Sequence, residues 1–308
     1  MQKKIINQFV ANFENNVSLH IKRDDLLHPF VSGNKIRKLK YNLIEAKAQN
    51  HQTILTFGGA FSNHIAAVAY AGFENNIKTI GIIRGEELKN KSSSNATLSF
   101  AKAHGMRLEF VSREEYRKKN DVDFLLNLEK KHGFCYILPE GGTNDLAIKG
   151  CQEILTIDDQ IFDYICCTVG TSGTIVGLIN SASENQKIIA FPALKGDFIL
   201  KDIENKTQKK NWSVESNYHF GGYAKVSDAL ITFINIFKVT YQIPLDPVYT
   251  GKMMFGIFDM IQKKQFPANS KILAIHTGGL QGIEGMNQYL KKNNRPLIER
   301  DILEQNKF

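Results

Sequence analysis

Short runs of β-branched and aromatic residues alternate with longer stretches of helical periodicity from about residue 30 onward. The short runs predict strands at residues 53–57, 78–83, 107–111, 134–138, 162–168, 187–191 and 271–276. The longer stretches predict helices at residues 34–49, 62–72, 93–104, 122–132, 144–155, 174–182, 226–240, 252–262 and 282–291. Because strands that alternate with helices pair in parallel, we expect an α/β protein with open, twisted, mostly parallel sheets and helices on both faces.

The length favours two lobes over one. The chain has 308 residues, which suits one large domain or two modest domains around a cleft. Residues 201–217 are polar and rich in lysine, which predicts a surface excursion. Composition does not mark a boundary between the lobes.

Composition indicates a globular chain in a reducing compartment. Apolar residues make up 43% of the chain and charged residues 23%, so it can bury a core. No apolar run approaches the roughly 20 residues that span a bilayer, and the N-terminal residues lack the apolar block of a signal peptide. The four cysteines have neither CxxC spacing nor the arrangement of a disulfide framework. We therefore expect a cytoplasmic protein that does not contact a membrane.

The net charge of +8 does not by itself indicate a nucleic-acid partner. The basic residues are scattered, and their densest runs are short and lie in polar stretches, as solvated surface lysines do. We therefore expect no nucleic-acid binding. A basic protein also suits a small anionic substrate or cofactor.

A lysine opens the first predicted helix. Lys35 lies in its first turn, where the positive end of the helix dipole favours a neutral, nucleophilic amine. Lys38 lies three residues later on the same face and can offer charge to an anion. Arg37 points elsewhere and is expected at the surface. Taken alone, the pattern favours ordinary exposed basic residues early in a helix.

A glycine-rich turn follows the predicted strand at residues 162–168. Gly170, Thr171, Ser172, Gly173 and Thr174 offer successive backbone N–H groups and hydroxyls, which favour a phosphate cradle over a bland turn. The turn lacks the GK[ST] of a Walker loop, the final glycine of GxGxxG and that of GxSxG. ATP, dinucleotides and serine hydrolysis are therefore disfavoured.

Two further junctions carry polar residues. Ser62, Asn63 and His64 open a helix after Gly58-Gly59, which suits a carboxylate, although Ser62 fits a helix cap and His64 a packing residue equally well. Thr277 follows the last predicted strand beside Gly278-Gly279. The sequence shows no ligand spacing typical of zinc, so no metal is expected. A reactive lysine, a phosphate cradle and a carboxylate pocket point to pyridoxal 5'-phosphate and an amino-acid substrate.

The chain resembles the 1-aminocyclopropane-1-carboxylate deaminase/D-cysteine desulfhydrase family of fold-type II (tryptophan-synthase-β-like) pyridoxal-phosphate enzymes. The resemblance rests on motifs in family order: IKRDD at 21–25, SGNKIRK at 32–38, GGAFSNH at 58–64, PEGGTN at 139–144, GTSGT at 170–174, VYTGK at 248–252 and HTGG at 276–279. It implies a large cofactor-binding domain at 1–38 and 146–308, a small domain at 39–145, and a homodimer.

The resemblance also implies a role for each matching residue. Lys35 would hold the cofactor through a Schiff base and move protons at the substrate Cα, and Lys38 would add charge near the phosphate. Asn63 would bind the 3′-oxygen of the ring, Thr277 would face its pyridine nitrogen, and Tyr249 would lie against it as an acid/base partner. The phosphate would lie in the cradle at 170–174. The substrate carboxylate would be received by Ser62, Asn63 and His64.

Two positions bear on the substrate. In the cyclopropane deaminases an acid follows the cleft tyrosine and leucine follows the histidine of the last motif, whereas this chain has Thr250 and Thr277. The resemblance therefore implies conversion of D-cysteine to pyruvate, sulfide and ammonia. Glu140, which precedes a glycine pair where many members are apolar, departs from the family pattern.

Three alternatives stay open from the sequence. The first is deamination of 1-aminocyclopropane-1-carboxylate to 2-oxobutyrate and ammonia. The second is β-elimination or racemisation of another small amino acid. The third is a non-catalytic protein that binds pyridoxal phosphate or another anion.

Overall fold

The computed structural model describes residues 5–299, which form ten strands and eleven α-helices. The strands are β1 Asn7–Asn12, β2 Ser18–Lys22, β3 Thr53–Gly58, β4 Lys78–Arg84, β5 Arg107–Val111, β6 Tyr136–Leu138, β7 Tyr164–Val169, β8 Lys187–Pro192, β9 Trp212–Val214 and β10 Lys271–Ile275. The helices are α1 Asn34–Ala48, α2 Asn63–Glu74, α3 Ala96–Ala103, α4 Arg113–Arg117, α5 Val122–His132, α6 Asp145–Gln152, α7 Gly173–Ser181, α8 Phe198–Glu204, α9 Asp228–Tyr241, α10 Thr250–Gln262 and α11 Gly282–Lys292.

The smaller sheet has four parallel strands in the order β5-β4-β3-β6. Its central strands are buried on both faces, which is why they read as nearly continuous apolar runs. Ile54 and Ile83 pack on one face beneath α2 and α3. Leu55 and Ile82 pack on the other face with side chains of α4 and α5. Helices therefore cover both sides of this sheet.

The larger sheet has six strands in the order β1-β2-β10-β7-β8-β9. Only the β1–β2 pair is antiparallel, and the other pairs are parallel. Ile272 packs on one face with helices α9, α10 and α11. Leu273, its neighbour in β10, packs on the opposite face with α6, α7 and α8. The predicted class, an α/β protein with two mostly parallel, helix-covered sheets, is confirmed.

Every predicted strand and helix overlaps an observed element, but two regions differ from the prediction. The pattern before residue 30 assigned no elements, yet β1 and β2 form an edge hairpin there. Residues 201–217 were expected as a surface excursion, and this is wrong in part. They include the end of α8, where Ile203 is fully buried, and β9, which pairs with β8. Lysines flank these few apolar positions, so the average composition of the segment is polar and does not reveal them.

The carboxyl ends of strands from both sheets meet at one cavity. The loops after β3, β6, β7 and β10 all reach it, as expected for ligand sites in open α/β sheets. The four-stranded sheet is built from residues 53–138 and the six-stranded sheet from residues 7–22 and 164–275. The exact domain boundaries stay a prediction. Within residues 5–299, no helix combines the length and the hydropathy of a bilayer span.

Candidate active site

The cavity between the two sheets has a volume of about 510 Å³. It collects residues that lie more than 200 positions apart in the chain, from Asn34 to Gly278. The sequence-predicted site residues that line it are Lys35, Lys38, Ser62, Asn63, His64, Gly170, Thr171, Thr174, Tyr249 and Thr277. Ser172 and Gly173 belong to the same loop but do not line the cavity.

Lys35 presents an amine with unusual acidity to the cavity. Desolvation by burial, together with the nearby charge of Lys38, lowers its pKa to about 7 against the attraction of Asp246. Its Nζ donates to Asn34 Oδ1 at 2.8 Å, and Asn34 Nδ2 donates to Thr174 Oγ1 at 2.9 Å. The sequence predicted this direction from the helix dipole, whereas burial is the larger cause. A nucleophilic neutral amine is therefore available near neutral pH.

A close backbone approach fixes the start of α1. Gly33 has φ +62°, and a Cβ there would lie 2.0 Å from the carbonyl oxygen of Thr277. The next residue, Asn34, donates its backbone N–H to that same oxygen at 3.3 Å. Glycine is therefore required at 33, because only it combines this φ with this contact. The contact holds Lys35 and Thr277 on neighbouring loops.

Lys38 links three segments at the floor of the cavity. Its Nζ is buried and donates to Gly141 O at 2.9 Å, Thr143 Oγ1 at 3.0 Å and Thr171 Oγ1 at 3.1 Å. Burial lowers the pKa of Lys38 to about 8, so its ammonium still predominates at pH 7. The neighbouring Arg37, expected at the surface, is only 12% exposed and pairs with buried Asp24. Both basic side chains therefore form their hydrogen bonds or ion pairs inside the protein.

The loop at 170–174 joins β7 to α7 and has the open donors of a helix N-terminus. The backbone N–H groups of Gly173 and Thr174 have no acceptor within residues 5–299. Ser172 differs, because its fully buried hydroxyl accepts from Lys206 Nζ at 3.0 Å and also bonds to Asp202. The side chains that face the cavity from this loop are therefore those of Thr171 and Thr174.

The N-terminus of α2 forms a second set of donors. Ser62 caps the helix by accepting from Ile65 N at 3.3 Å. The backbone N–H groups of Asn63 and His64 find no acceptor in the described part of the chain, and both residues line the cavity. A helix N-terminus with free N–H groups binds a carboxylate well.

The ring of His64 keeps one of its two nitrogens as a hydrogen-bond acceptor. Thr56 Oγ1 donates its proton to Leu138 O at 2.8 Å, so His64 Nε2, also 2.8 Å from Thr56 Oγ1, must donate to it. Burial, helped by the charges of Lys35 and Lys38, lowers the pKa of His64 well below its ordinary value. The ring is therefore neutral, and its buried Nδ1 is a bare acceptor with no partner among residues 5–299. Only the backbone of His64 can donate to a carboxylate.

Two tyrosines face each other across the cavity. Tyr249 lies so close to the phosphate-type loop that a Cβ on Gly170 would lie 2.9 Å from its ring. The rings of Tyr249 and Tyr223 are 6.3 Å apart at an interplanar angle of 67°. Burial raises the pKa of both phenols. Both phenols are therefore protonated at neutral pH.

Asp246 fixes the backbone on which Tyr249 stands. Its buried carboxylate accepts from the backbone N–H groups of Val248, Tyr249 and Thr250 at 2.8–2.9 Å. Thr250 Oγ1 donates to the same carboxylate at 2.7 Å and accepts from Asp246 N at 2.9 Å. The hydroxyl of Thr250 is thus bound to Asp246, and Thr250 does not line the cavity.

The mouth of the cavity is charged. Glu140, which departs from the family pattern, accepts from Tyr116 Oη at 2.7 Å and lies 3.5 Å from Lys119 Nζ. Arg84 lies across the mouth, 5.7 Å from the centroid of the Tyr116 ring. These groups give the entrance both signs of charge.

The residues present fit the cofactor that the resemblance implies. Gly170 has no side chain, so the backbone of this loop comes directly against the ring of Tyr249, where a Cβ would lie 2.9 Å away. The open N–H groups of α7 and the ammonium of Lys38 suit a phosphate. Lys35, whose pKa is about 7, suits attachment to an aldehyde.

Sequence reasoning missed Asn34, Asp246 and Tyr223. Asn34 lies inside a motif already singled out, and Asp246 stands two residues before another, so proximity to these motifs was the available signal. Tyr223 lies in a loop without a motif, and only the fold brings it to Tyr249.

Comparison with known proteins places similarity along nearly the whole described chain. A family model described as pyridoxal-phosphate dependent enzyme matches residues 7–278. A protein of Thermotoga maritima named putative 1-aminocyclopropane-1-carboxylate deaminase is 31% identical over 288 residues, which cover 86% of this chain and 90% of that protein.

A protein of Arabidopsis thaliana, named bifunctional D-cysteine desulfhydrase/1-aminocyclopropane-1-carboxylate deaminase, mitochondrial, is 32% identical over 297 residues. The alignment covers 87% of this chain and 74% of that protein. A crystal structure described as a homologue of the deaminase superimposes with a TM-score of 0.80 and 26% identity, covering 94% of each chain.

Proposed function

The chain belongs to the family of pyridoxal-phosphate dependent enzymes, and from this premise we propose that it eliminates sulfide from D-cysteine, yielding pyruvate and ammonia. The cofactor is pyridoxal 5'-phosphate. The observation that carries the proposal is Lys35, whose pKa of about 7 gives a neutral amine at the floor of the cavity. The phosphate-type donors and the carboxylate-type donors flank this amine.

In the proposal the polar groups of the cavity share the tasks of binding the cofactor and the substrate. Lys35 attaches the cofactor, while Lys38, Gly170, Thr171 and the open N–H groups of Gly173 and Thr174 hold its phosphate. Asn63 and Thr277 face polar atoms of its ring, and Tyr249 packs against the ring. When bound, the cofactor supplies an aldehyde for amines and a ring that withdraws electrons from the substrate Cα.

The N-terminus of α2 orients the substrate. Ser62, Asn63 and the backbone N–H of His64 receive its carboxylate, which fixes the direction of the Cα–H bond. Once the amino group of the substrate has displaced it, Lys35 is a neutral amine again and would take the Cα proton. A base with a pKa near neutral is well matched to this step, because it is deprotonated yet still basic.

The tyrosine pair completes the elimination. The electron pair left at Cα forms the Cα–Cβ double bond, and the Cβ–S bond breaks with its electrons on sulfur. Tyr249, a phenol that stays protonated because burial raises its pKa, would donate a hydrogen bond to that sulfur, which leaves as the weakly basic hydrosulfide ion, and the ring of Tyr223 lies beside it. The released 2-aminoacrylate reacts with water to give pyruvate and ammonia.

Position 250 supports D-cysteine over the cyclopropane substrate. Ring opening in the resembling deaminases is associated with an acid after the cleft tyrosine, and here Thr250 is bound to Asp246 instead. Thr277 offers a hydroxyl rather than an apolar side chain to the cavity. Neither residue supplies the features that the deaminase pattern expects.

The second candidate is deamination of 1-aminocyclopropane-1-carboxylate to 2-oxobutyrate. The names of the Thermotoga maritima and Arabidopsis thaliana relatives favour it, since both include that activity. A non-catalytic cofactor-binding protein is the alternative from another class.

Keto-acid release tests these candidates directly. Purified, cofactor-loaded protein is incubated in parallel with D-cysteine, L-cysteine and 1-aminocyclopropane-1-carboxylate, and the keto acid is identified by chromatography. We expect pyruvate and stoichiometric sulfide from D-cysteine alone. Lys35→Ala should release neither, because it has no amine to attach the cofactor or move the proton.

Arg37→Ala is not a suitable control because Arg37 is buried against Asp24, so Lys47→Ala, an exposed lysine of the same helix, is used. Release of 2-oxobutyrate from the cyclopropane substrate would overturn the choice of D-cysteine. If none of the three substrates yields a keto acid although cofactor is bound at Lys35, the result supports the non-catalytic alternative.

A further inference from the structure

Lys252 is a buried lysine that the proposed chemistry does not use. It lies in the first turn of α10, three residues after Tyr249, and is 2% exposed. Its Nζ donates to the carbonyl oxygens of His219 at 2.9 Å and Gly222 at 2.8 Å. Within residues 5–299 it forms no ion pair.

The carbonyls that Lys252 binds belong to the loop that carries Tyr223. Residues 220–224 lack regular secondary structure, and Phe220 and Ala224 have φ of 54° and 56°, which non-glycine residues rarely adopt. The same two carbonyls also accept from the backbone N–H groups of Gly222 and Lys225. Lys252 therefore bonds both ends of the turn that precedes Tyr223.

Burying the ammonium of Lys252 costs folding free energy, and a role in holding the neighbouring loop in place would explain why it is there. A buried charge without a carboxylate partner loses hydration that two carbonyl oxygens replace only in part. Burial lowers the pKa of Lys252 to about 8, opposed by the charge of Asp246, so the charged form still predominates at pH 7. An apolar side chain of similar length would avoid this cost but would leave both carbonyls without their second partner.

We propose that Lys252 is a positioning residue, which holds the 219–222 turn against α10 so that Tyr223 meets Tyr249 across the cavity. One helix thus sets both phenols. Asp246 fixes the backbone of Tyr249 at the start of α10, and Lys252 fixes the loop of Tyr223 one turn later. The inference rests on the proposed function, because it assigns Lys252 an effect on turnover through Tyr223.

The first measurement reports on the loop without turnover. Lys252→Met, Lys252→Arg and wild-type holoenzyme are digested with limiting chymotrypsin, and cleavage after Tyr218, Phe220 and Tyr223 is timed by mass spectrometry. Lys252→Met should be cleaved several-fold faster, and Lys252→Arg should be protected like the wild type. Lys264→Met is the matched control, since Lys264 is an exposed lysine two residues after the end of the same helix.

The second measurement tests coupling to Tyr223. Lys252→Met should lower kcat for D-cysteine by about tenfold or more, as a misplaced acid/base group does, with KM nearly unchanged. In the Tyr223→Phe background the same substitution should change kcat by about twofold or less, because the positioned hydroxyl is already gone. Lys252→Arg should restore kcat, which a purely space-filling role would not allow.

Equal cleavage rates in wild type and Lys252→Met, or an equal loss of kcat in both Tyr223 backgrounds, would overturn the proposal. If wild-type protein releases no keto acid from D-cysteine, the proposed function fails. Lys252 is then judged by cleavage and by the absorbance spectrum of bound cofactor, which Lys252→Met should shift and Lys252→Arg should not. If Lys252→Met does not fold, Lys252→Gln, which keeps an amide donor without charge, takes its place.

Discussion

Single side chains in this cavity owe their chemistry to their neighbours. Lys35 and Lys38 are the same residue type three positions apart, yet Lys35 bonds to an amide oxygen while Lys38 bonds to a carbonyl and two hydroxyls. Burial lowers the pKa of both, to about 7 and about 8 respectively. At neutral pH the first is therefore a ready nucleophile and the second remains a cation. A cofactor with an aldehyde and a phosphate needs both.

The acidity of Lys35 predicts the pH dependence of its reaction with an aldehyde. Only the neutral amine reacts, so its rate should rise through a midpoint near pH 7 and then level off. A lysine of ordinary pKa has only about 0.03% neutral amine at pH 7 and continues to gain reactivity to about pH 10. Apoprotein is exposed briefly to pyridoxal, which lacks the phosphate, at pH 6–9, then reduced with borohydride and analysed by mass spectrometry.

Lys38→Met should move this midpoint to higher pH, because it removes a positive charge beside Lys35. Pyridoxal is the appropriate probe for this variant, since Lys38 is also expected to bind the phosphate. A midpoint near 10 in the wild type would contradict the assignment of Lys35.

Elements meet at this site through glycines that permit contact between loops. Gly33 lets the start of α1 reach the carbonyl of Thr277, and Gly170 lets the end of β7 reach the ring of Tyr249. The first contact joins the lysine to the last motif. The second places a tyrosine from the start of α10 over the loop before α7. Both contacts join segments that are distant in sequence.

Gly170→Ala tests the second contact. The added Cβ would lie 2.9 Å from Tyr249 Cε1 and Oη, so either the ring or the loop must move. We expect a strain of about 1–3 kcal/mol and a cofactor dissociation constant raised roughly tenfold. Cofactor fluorescence titration and urea denaturation measure the two effects. Gly282→Ala is the control, because a Cβ there would meet Asn63 at an ordinary 3.7 Å; equal effects in both variants would show that the contact with Tyr249 is unimportant.

The stability of the whole fold depends on the hairpin β1–β2, which the hydrophobic pattern did not predict. The hairpin β1–β2 lies at the edge of the six-stranded sheet and pairs with β10, the strand that leads into Thr277. Lys22 at its end binds Asp159 at 2.9 and 2.7 Å, and their side chains are 3% and 1% exposed. This buried pair ties the hairpin to the turn before β7. The homodimer and the cytoplasmic location expected from the sequence stay predictions.

Lys22→Met should therefore weaken the whole fold. Removing one partner leaves the carboxylate of Asp159 buried without its cation, which typically costs about 3–5 kcal/mol. The exposed pair of Lys263 and Asp259 is the comparison, and Lys263→Met should cost about 1 kcal/mol or less. Urea denaturation followed by circular dichroism measures both. Similar losses in the two variants would mean that the buried pair does not anchor the hairpin.

The sequence alone determined the local and repetitive features. Periodicity located the strands at 53–58 and 78–84 and every long helix, because burial of an apolar face imposes a regular spacing on the chain. The motifs around Lys35 and Gly170 could be interpreted without knowledge of the fold, since a helix start and a glycine turn are local structures. The family resemblance used these same local segments.

The tertiary structure decided what depends on contacts between distant segments. The edge strand β9 has only three residues and β1 is only partly buried, so both carry little periodic signal. Tyr223 lies beside Tyr249 because of the course of its loop, which Lys252 binds. The hydroxyl of Thr250 donates to Asp246 and does not face the cavity. The pKa of Lys35 likewise depends on burial between two sheets. Burial and hydrogen-bond partners are properties of the packed chain, and no short window of sequence contains them.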